Sequence, residues 1–139
     1  MAESSPYSVL ALADVTLSFS ARRKLRRAQR KGRTGVVLQG IIRTGTRSLL
    51  GRQAVVGIDE GAKELGMVSA HARSAKWANL SPGRHRLRFI ATRTASSSVF
   101  ERDVELKGGQ ILVAVCEPIQ PWSPFGRSPQ EDRWYIGIV

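Results

Sequence analysis

The sequence lacks most of the features that mark a secreted, membrane-spanning or metal-binding chain. Among its 139 residues there is one cysteine, Cys116. A lone cysteine excludes an intramolecular disulfide and a cysteine-rich zinc site. The longest apolar run, Ile111 to Cys116, is far shorter than the roughly 18 residues of a transmembrane helix. We therefore expect no membrane insertion.

The first residues also lack the features of a secretory leader. Residues 1–6 carry one acid, Glu3, and no base, and the apolar run Val9 to Ala13 ends at Asp14. A signal peptide needs a positively charged start and then a longer apolar core. Together with the single cysteine, this predicts a reducing, cytoplasmic location.

Catalytic and cofactor-binding motifs are absent as well. The two histidines, His71 and His85, show neither HExxH nor Cys-His zinc spacing, and there is no GxxxxGK[ST] or GxGxxG loop. Cys116 and His85 would form a nucleophile pair only on neighbouring strands, and a thiol ending an apolar run usually acts as a small hydrophobic group. Asp59 and Glu60 fit a turn better than a cation site. We predict no enzyme, catalytic residue, cofactor or metal.

Negative charge is missing from one long window. The chain has 22 basic and 11 acidic residues, a formal net charge of +11. Residues 15–58 hold 11 bases and no acid, residues 1–14 two acids and no base, and residues 59–139 11 bases and nine acids. The net charge is −2 for residues 1–14, +11 for residues 15–58 and +2 for residues 59–139. The whole excess of positive charge therefore lies in residues 15–58.

Basic residues are densest in residues 20–33. We predict that this segment, the basic arm, is inserted between the first β-strands of the chain. Its apolar residues lie at helical spacing, and suitable capping residues stand at both ends. The stripe is Ala21, Leu25 and Ala28, with Ser18 or Ser20 before it and Gly32 after it. Because the stripe is thin and the charges repel, a mobile arm that orders on an anion is the alternative to a helix.

The arm predicts a polyanion-binding surface. Each phosphate neutralised by a base releases a condensed counterion, and the arginine fork fits two phosphate oxygens. The candidate binding residues are Arg22, Arg23, Lys24, Arg26, Arg27, Arg30, Lys31 and Arg33, continued by Arg43, Arg47 and Arg52. The arm contains no aromatic residue, so we expect binding to nucleic acid or another polyanion without strong sequence preference. A solvated connection between strands, or a patch that meets an acidic protein, is the alternative.

A second cationic row is expected to be neutralised within the chain. Period-two alternation places three arginines on one face of a strand and three acids on one face of the next. They are Arg84, Arg86 and Arg88, and Glu101, Asp103 and Glu105. A hairpin would set these rows opposite each other, where opposite charges pair across strands.

Alternation with β-branched residues dominates the rest of the chain. Ile111 to Cys116 is typical of a strand buried on both faces, and residues 107–110 predict a hairpin connection leading into it. About eight short strands at regular spacing predict an all-β chain, a single antiparallel β-sandwich domain over residues 1–139.

The C-terminal region offers a candidate surface for protein contacts. Residues 120–132 form a loop rich in Pro, Ser and Gly that carries Trp122 and Phe125, and Trp134 and Tyr135 follow on the last strand. Such rings serve as recognition anchors or as lids over the end of a sandwich. The final apolar strand needs a pairing partner, in its own sheet or in a neighbouring subunit. The alternative function is therefore a structural or adaptor subunit of an assembly, including a homo-oligomer, with the arm and the last strand as contacts.

The order of turns between residues 55 and 118 resembles PEGA-type small bacterial β-sandwich domains. The resembling segments are Val56-Gly57-Ile58-Asp59-Glu60-Gly61, Leu65-Gly66, Leu80-Ser81-Pro82-Gly83-Arg84-His85-Arg86-Leu87, and Phe100 to Leu106 with Gly108-Gly109-Gln110. The tetrapeptide that names the family is absent, since Leu50-Gly51-Arg52-Gln53-Ala54 contains no Pro-Glu-Gly-Ala. The resemblance implies a β-sandwich and a non-catalytic binding or surface-display module, and it transfers no site residue.

Overall fold

Strands dominate the part of the chain that the structure describes. The computed structural model describes residues 3–4, 7–41, 55–69, 74–92, 96–119 and 131–139. The strands are β1 (Glu3–Ser4), β2 (Tyr7–Ala11), β3 (Gly35–Gly40), β4 (Val55–Glu60), β5 (Lys63–Ser69), β6 (Ala75–Asn79), β7 (Gly83–Thr92), β8 (Ser96–Leu106), β9 (Ile111–Ile119) and β10 (Glu131–Ile138). One α-helix, α1 (Phe19–Arg30), and a 3-10 turn, Leu12–Asp14, lie between β2 and β3. The predicted all-β class is confirmed, with nine strands besides the two-residue β1 rather than about eight.

The strands form two five-stranded sheets. The first sheet has the order β1-β8-β7-β4-β5 and the second sheet the order β2-β10-β9-β3-β6. Three neighbouring pairs are parallel: β1 with β8, β2 with β10 and β3 with β9. The prediction of antiparallel sheets is therefore wrong for these pairs. Because their members are far apart in the chain and no hairpin joins them, nothing forces them to run in opposite directions.

The turn at residues 107–110 passes between the two sheets and does not form the predicted hairpin. The Gln110 N–H donates to the Lys107 carbonyl at 3.0 Å, and Gly109 has a φ of 85°. The strand before the turn, β8, belongs to the first sheet, and the strand after it, β9, to the second. A turn within a hairpin and a turn that connects two sheets have the same local sequence signals. These signals therefore do not reveal which sheet the next strand joins.

β9 is buried on both faces, as its apolar sequence predicts. One set of alternate residues shares a core with side chains of the first sheet, and the other set packs with α1. The first set is Leu112, Ala114 and Cys116, and the second is Ile111, Val113 and Val115. β9 therefore contacts the first sheet on one face and the helix on the other. Burying a large aliphatic side chain contributes about 1.5–3 kcal/mol, so both contacts stabilise the fold.

Trp134 and Tyr135 lie in the core and not on a contact surface. Trp134 is 0% exposed and packs edge-on against Phe89 and Phe100, with ring centroids 5.4 and 5.9 Å apart. Tyr135, the next residue of β10, is buried on the helix side. β10 itself lies between β2 and β9, so both its edges are paired. Trp134 and Tyr135 are therefore not exposed anchors for a partner, and the last strand finds its pairing partners within its own sheet.

The two loop aromatics of the same prediction, Trp122 and Phe125, lie outside the described residues.

Position 35 requires glycine because the edge strand β6 comes very close. A Cβ on Gly35 would lie 2.1 Å from the Ala78 carbonyl oxygen and 2.8 Å from the Trp77 ring. Gly35→Ala must push β3 and β6 apart, and we expect it to lower the free energy of unfolding by about 1–3 kcal/mol. Gly108→Ala is the matched control, since a Cβ there meets nothing within 4 Å. Urea denaturation measures both variants, and equal midpoints would contradict the expectation.

Candidate functional site

The start of α1 is bonded to two strands of the second sheet. Ser18 Oγ accepts a hydrogen bond from the Ala21 N–H at 3.2 Å, which confirms Ser18 as the N-cap. The Ser18 N–H donates to Gln39 Oε1 on β3 at 2.9 Å. The other predicted cap, Ser20, accepts from the Ala75 N–H on β6 at 3.1 Å. These bonds hold the first turn of the helix in place on the sheet.

The end of α1 is closed by the predicted glycine. Gly32 has a φ of 63°, and its N–H donates to the Gln29 carbonyl while the Arg33 N–H donates to the Ala28 carbonyl. This pair of bonds is the Schellman arrangement, in which a glycine in the left-handed region satisfies the last carbonyls. Of the two predicted forms of the basic arm, the structure shows the capped helix and not the unstructured arm.

The apolar side of α1 packs on the second sheet. Ala21 and Ala28 are buried among Val37, Val113 and neighbouring side chains, and Leu25 is half-buried beside them. Since successive residues turn by about 100°, the opposite side of the helix must face away from the protein. We call that outward surface the basic helix face. It consists of Phe19, Arg22, Arg23, Arg26, Arg27, Arg30 and Lys31, which line a shallow groove of about 590 Å³.

The structure brings most of the predicted polyanion-binding residues onto this face. Arg22, Arg23, Arg26, Arg27, Arg30, Lys31 and Arg33 are exposed, and Lys24 is half-buried on the flank of the helix. In the described part of the chain none of them forms an ion pair. Arg43, Arg47 and Arg52 lie outside the described residues. The basic helix face is therefore a group of cations that form no ion pair with the described residues.

The second cationic row lies opposite the predicted acids, and Arg86 and Arg88 of this row form ion pairs. In the β7–β8 register Arg84, Arg86 and Arg88 lie opposite Glu105, Asp103 and Glu101. Arg86 Nε donates to Glu101 Oε2 at 2.7 Å, and Arg88 donates three hydrogen bonds to the Asp59 carboxylate, the shortest at 2.7 Å. Exposed ion pairs of this kind stabilise a fold by little, about 0–1 kcal/mol each. Their consequence is electrostatic, because this surface of the first sheet is locally neutralised.

Sequence reasoning missed Phe19, which precedes the basic arm by one residue. Its ring is 72% exposed and lines the groove of the basic helix face. The helical spacing contained the signal. Phe19 is nine residues before Ala28, about 900° of rotation, which places it directly opposite that buried alanine.

His85 is buried between two acceptors on the first sheet. Its Nδ1 lies 2.7 Å from Glu60 Oε1 and its Nε2 lies 2.6 Å from the Ser81 carbonyl oxygen. Both ring nitrogens can donate only when the imidazole is protonated. Burial lowers the pKa of His85, but the hydrogen bonds to Ser81 and Glu60 and the Glu60 charge outweigh it, so the pKa is raised above 6.5. Cys116 lies on β9 in the other sheet and not on a strand next to His85, and both ring nitrogens of His85 are bonded to Glu60 and Ser81.

Among the described residues, no three His, Cys, Asp or Glu side chains converge on a point. Within the same part of the chain, no helix is both long enough and apolar enough to cross a bilayer.

Comparisons with known protein families, curated proteins and solved structures gave no match. The resemblance to PEGA-type domains therefore stays a prediction from the short turn motifs, and the function has to be argued from the geometry of this chain.

The pKa of His85 makes stability depend on pH. Folding raises this pKa, so the native state holds the proton more tightly than the unfolded state, and the stabilisation is complete below pH 6.5. It is lost as pH rises through the native pKa. We expect wild type to exceed His85→Gln in free energy of unfolding most at pH 6, with the difference shrinking towards pH 9. Urea titrations at each pH measure it, and a difference that stays constant or grows would contradict the assignment.

Proposed function

We propose that this protein is a non-enzymatic binding module that docks on a polyanion, specifically nucleic acid, through the basic helix face and without strong sequence preference. One observation carries the proposal: the exposed cations of α1 have no acidic partner in the described chain, whereas Arg86 and Arg88 elsewhere do. A surface that only kept the chain soluble would need no such separation of charge.

The geometry of α1 suits a phosphate backbone. Arg23, Arg26 and Arg30 follow one stripe of the helix, and from Phe19 to Arg30 the helix rises about 16 Å. Five stacked nucleotides span a similar length at roughly 3.4 Å each. Arginine forks can bind the phosphate oxygens along this stripe in pairs. Because the helix is already capped and packed, little backbone ordering opposes binding.

Weak sequence preference follows from the side chains present. Arginine and lysine contacts to phosphate fix position without reading bases. Gln29 is the one side-chain amide on α1, and it is not among the residues that line the groove of the basic helix face. The face itself therefore lacks the amide side chains that commonly pair with adenine edges.

The remainder of the chain supports the face. We infer that the two sheets form one β-sandwich domain, since side chains of both share a core. This body supplies the rigid surface on which α1 lies. The single cysteine fits a cytoplasmic location, where nucleic acid is available.

Removing charge from the basic helix face tests the proposal. If about six to eight phosphates are contacted, log Kobs should fall with log salt at a slope of about −5 to −7 on duplex DNA. The variant with Arg22, Arg23, Arg26 and Arg27 changed to Gln should show a slope shallower by about 3.6 if each contacts one phosphate, with weaker binding to DNA and RNA alike. Fluorescence anisotropy against salt concentration measures both quantities.

The matched control removes the same charge from the first sheet by changing four exposed arginines to Gln: Arg84, Arg86 and Arg88 of β7, and Arg102 of β8. It should leave the slope near that of wild type, because these arginines lie on the first sheet and α1 packs on the second. Equal losses in the two variants would mean that net charge matters and not the basic helix face. Absence of wild-type binding at low salt would overturn the proposal.

A further inference from the structure

Phe19 is the most exposed large apolar side chain of the described residues, at 72%. It lies between two basic grooves. One also contains Arg22, Arg26 and Arg30, the second also contains Ser20 and Lys24, and Arg23 and Arg27 border both. An aromatic ring is thus presented within a cluster of guanidinium groups, where no other side chain of the described chain covers it.

The position of Phe19 is fixed by the structure around it. Ser18 caps the helix directly before it, and Ala21 is fully buried two residues later. Turning Phe19 towards the sheet would expose Ala21 and break the hydrogen bonds that hold Ser18. The ring therefore stays outward at the start of the stripe that Arg23, Arg26 and Arg30 continue.

We propose that Phe19 stacks on an unpaired base of a single-stranded nucleic acid whose phosphates lie along the arginine stripe. This inference rests on the proposed function and names its substrate class. Single-strand-binding proteins combine a positively charged groove for the backbone with aromatic rings for the bases. Stacking is tolerant of sequence, because every base has a π face, so it agrees with weak sequence preference.

A single strand is favoured over a duplex because only unpaired bases leave their faces accessible to the Phe19 ring. In a duplex the base faces are already stacked, and inserting a side chain between them costs a few kcal/mol of unstacking. An unpaired base offers its face at no such cost. With phosphates on both sides of the base, the two basic grooves flanking Phe19 would each have a charged partner.

A lipid surface is disfavoured by the same helix. Helices that lie in a membrane interface present a broad apolar face to the lipid. On α1 the apolar residues Ala21, Leu25 and Ala28 are already used against the second sheet. Phe19 alone remains outside, which is too little apolar surface for insertion.

The experiment compares two probes of the same length, an oligothymidylate of about 12 nucleotides and an abasic phosphodiester chain. Full-length wild type, Phe19→Ala and Phe19→Trp are titrated by anisotropy at one low salt concentration. Met67→Ala is the control for losing an exposed apolar side chain, since Met67 is 46% exposed on β5 in the first sheet. Circular dichroism and melting check that the variants fold.

We expect Phe19→Ala to lower the affinity for oligothymidylate by about 5- to 100-fold and to leave the affinity for the abasic chain unchanged. Phe19→Trp should retain binding, and Met67→Ala should match wild type. If Phe19→Ala changes neither affinity, or both equally, stacking is overturned while the proposed function stands on wild-type binding to the abasic chain. If wild type binds neither probe, the proposed function itself fails. Duplex DNA and phosphatidylserine vesicles are titrated in parallel, and a loss for Phe19→Ala confined to either of them would overturn the single-strand assignment.

Discussion

The contact of Ala21 and Ala28 with the second sheet determines where every cation of α1 points. Both side chains are buried beside Val37, Val113 and Val115. A methyl group is small enough to let the helix backbone lie close to the sheet, and the 3.6-residue repeat then turns the arginines outward. Any rotation of the helix would bury a guanidinium group without a partner, which costs far more than it gains. The apolar contact and the electrostatics of the basic helix face are therefore one constraint.

The chain handles its positive charge in two different ways. On the first sheet, arginines of β7 stand opposite carboxylates of β8, and Arg88 also bonds Asp59 on β4. On α1 no acid is available from the helix or from the described residues around it. Both surfaces carry closely spaced arginines, yet only one projects an unbalanced field into solvent. The net charge of +11 does not distinguish these two surfaces, whereas the ion pairs do.

Features that depend on neighbouring residues in the chain were predictable. The placement of Arg84, Arg86 and Arg88 opposite the acids of β8 follows from period two and a hairpin, and the caps Ser18 and Gly32 follow from local hydrogen bonding. Non-local pairing was not. The parallel β3–β9 contact joins segments far apart in sequence, and nothing in either segment specifies the direction of its partner.

The burial of Trp134 likewise depends on the order of strands in the sheet. A tryptophan on an apolar last strand is compatible with a core or with an interface, and it becomes core because β10 lies between β2 and β9. Phe19 is a different case. Its orientation was encoded in the spacing from Ala28, but it falls one residue outside the segment defined by charge, so a boundary drawn from composition excluded it from the candidate site.

Repulsion between like charges destabilises α1, the helix that carries the proposed site. Like charges four residues apart destabilise an isolated helix by about 0.2–0.5 kcal/mol per pair, and α1 has such pairs at Arg22 with Arg26 and Arg23 with Arg27. Its first turn also carries bases where the helix dipole favours acids. The caps and the alanine contact hold α1 against this repulsion. A bound polyanion would remove the repulsion without altering those contacts, so binding at the basic helix face would stabilise the helix that forms it.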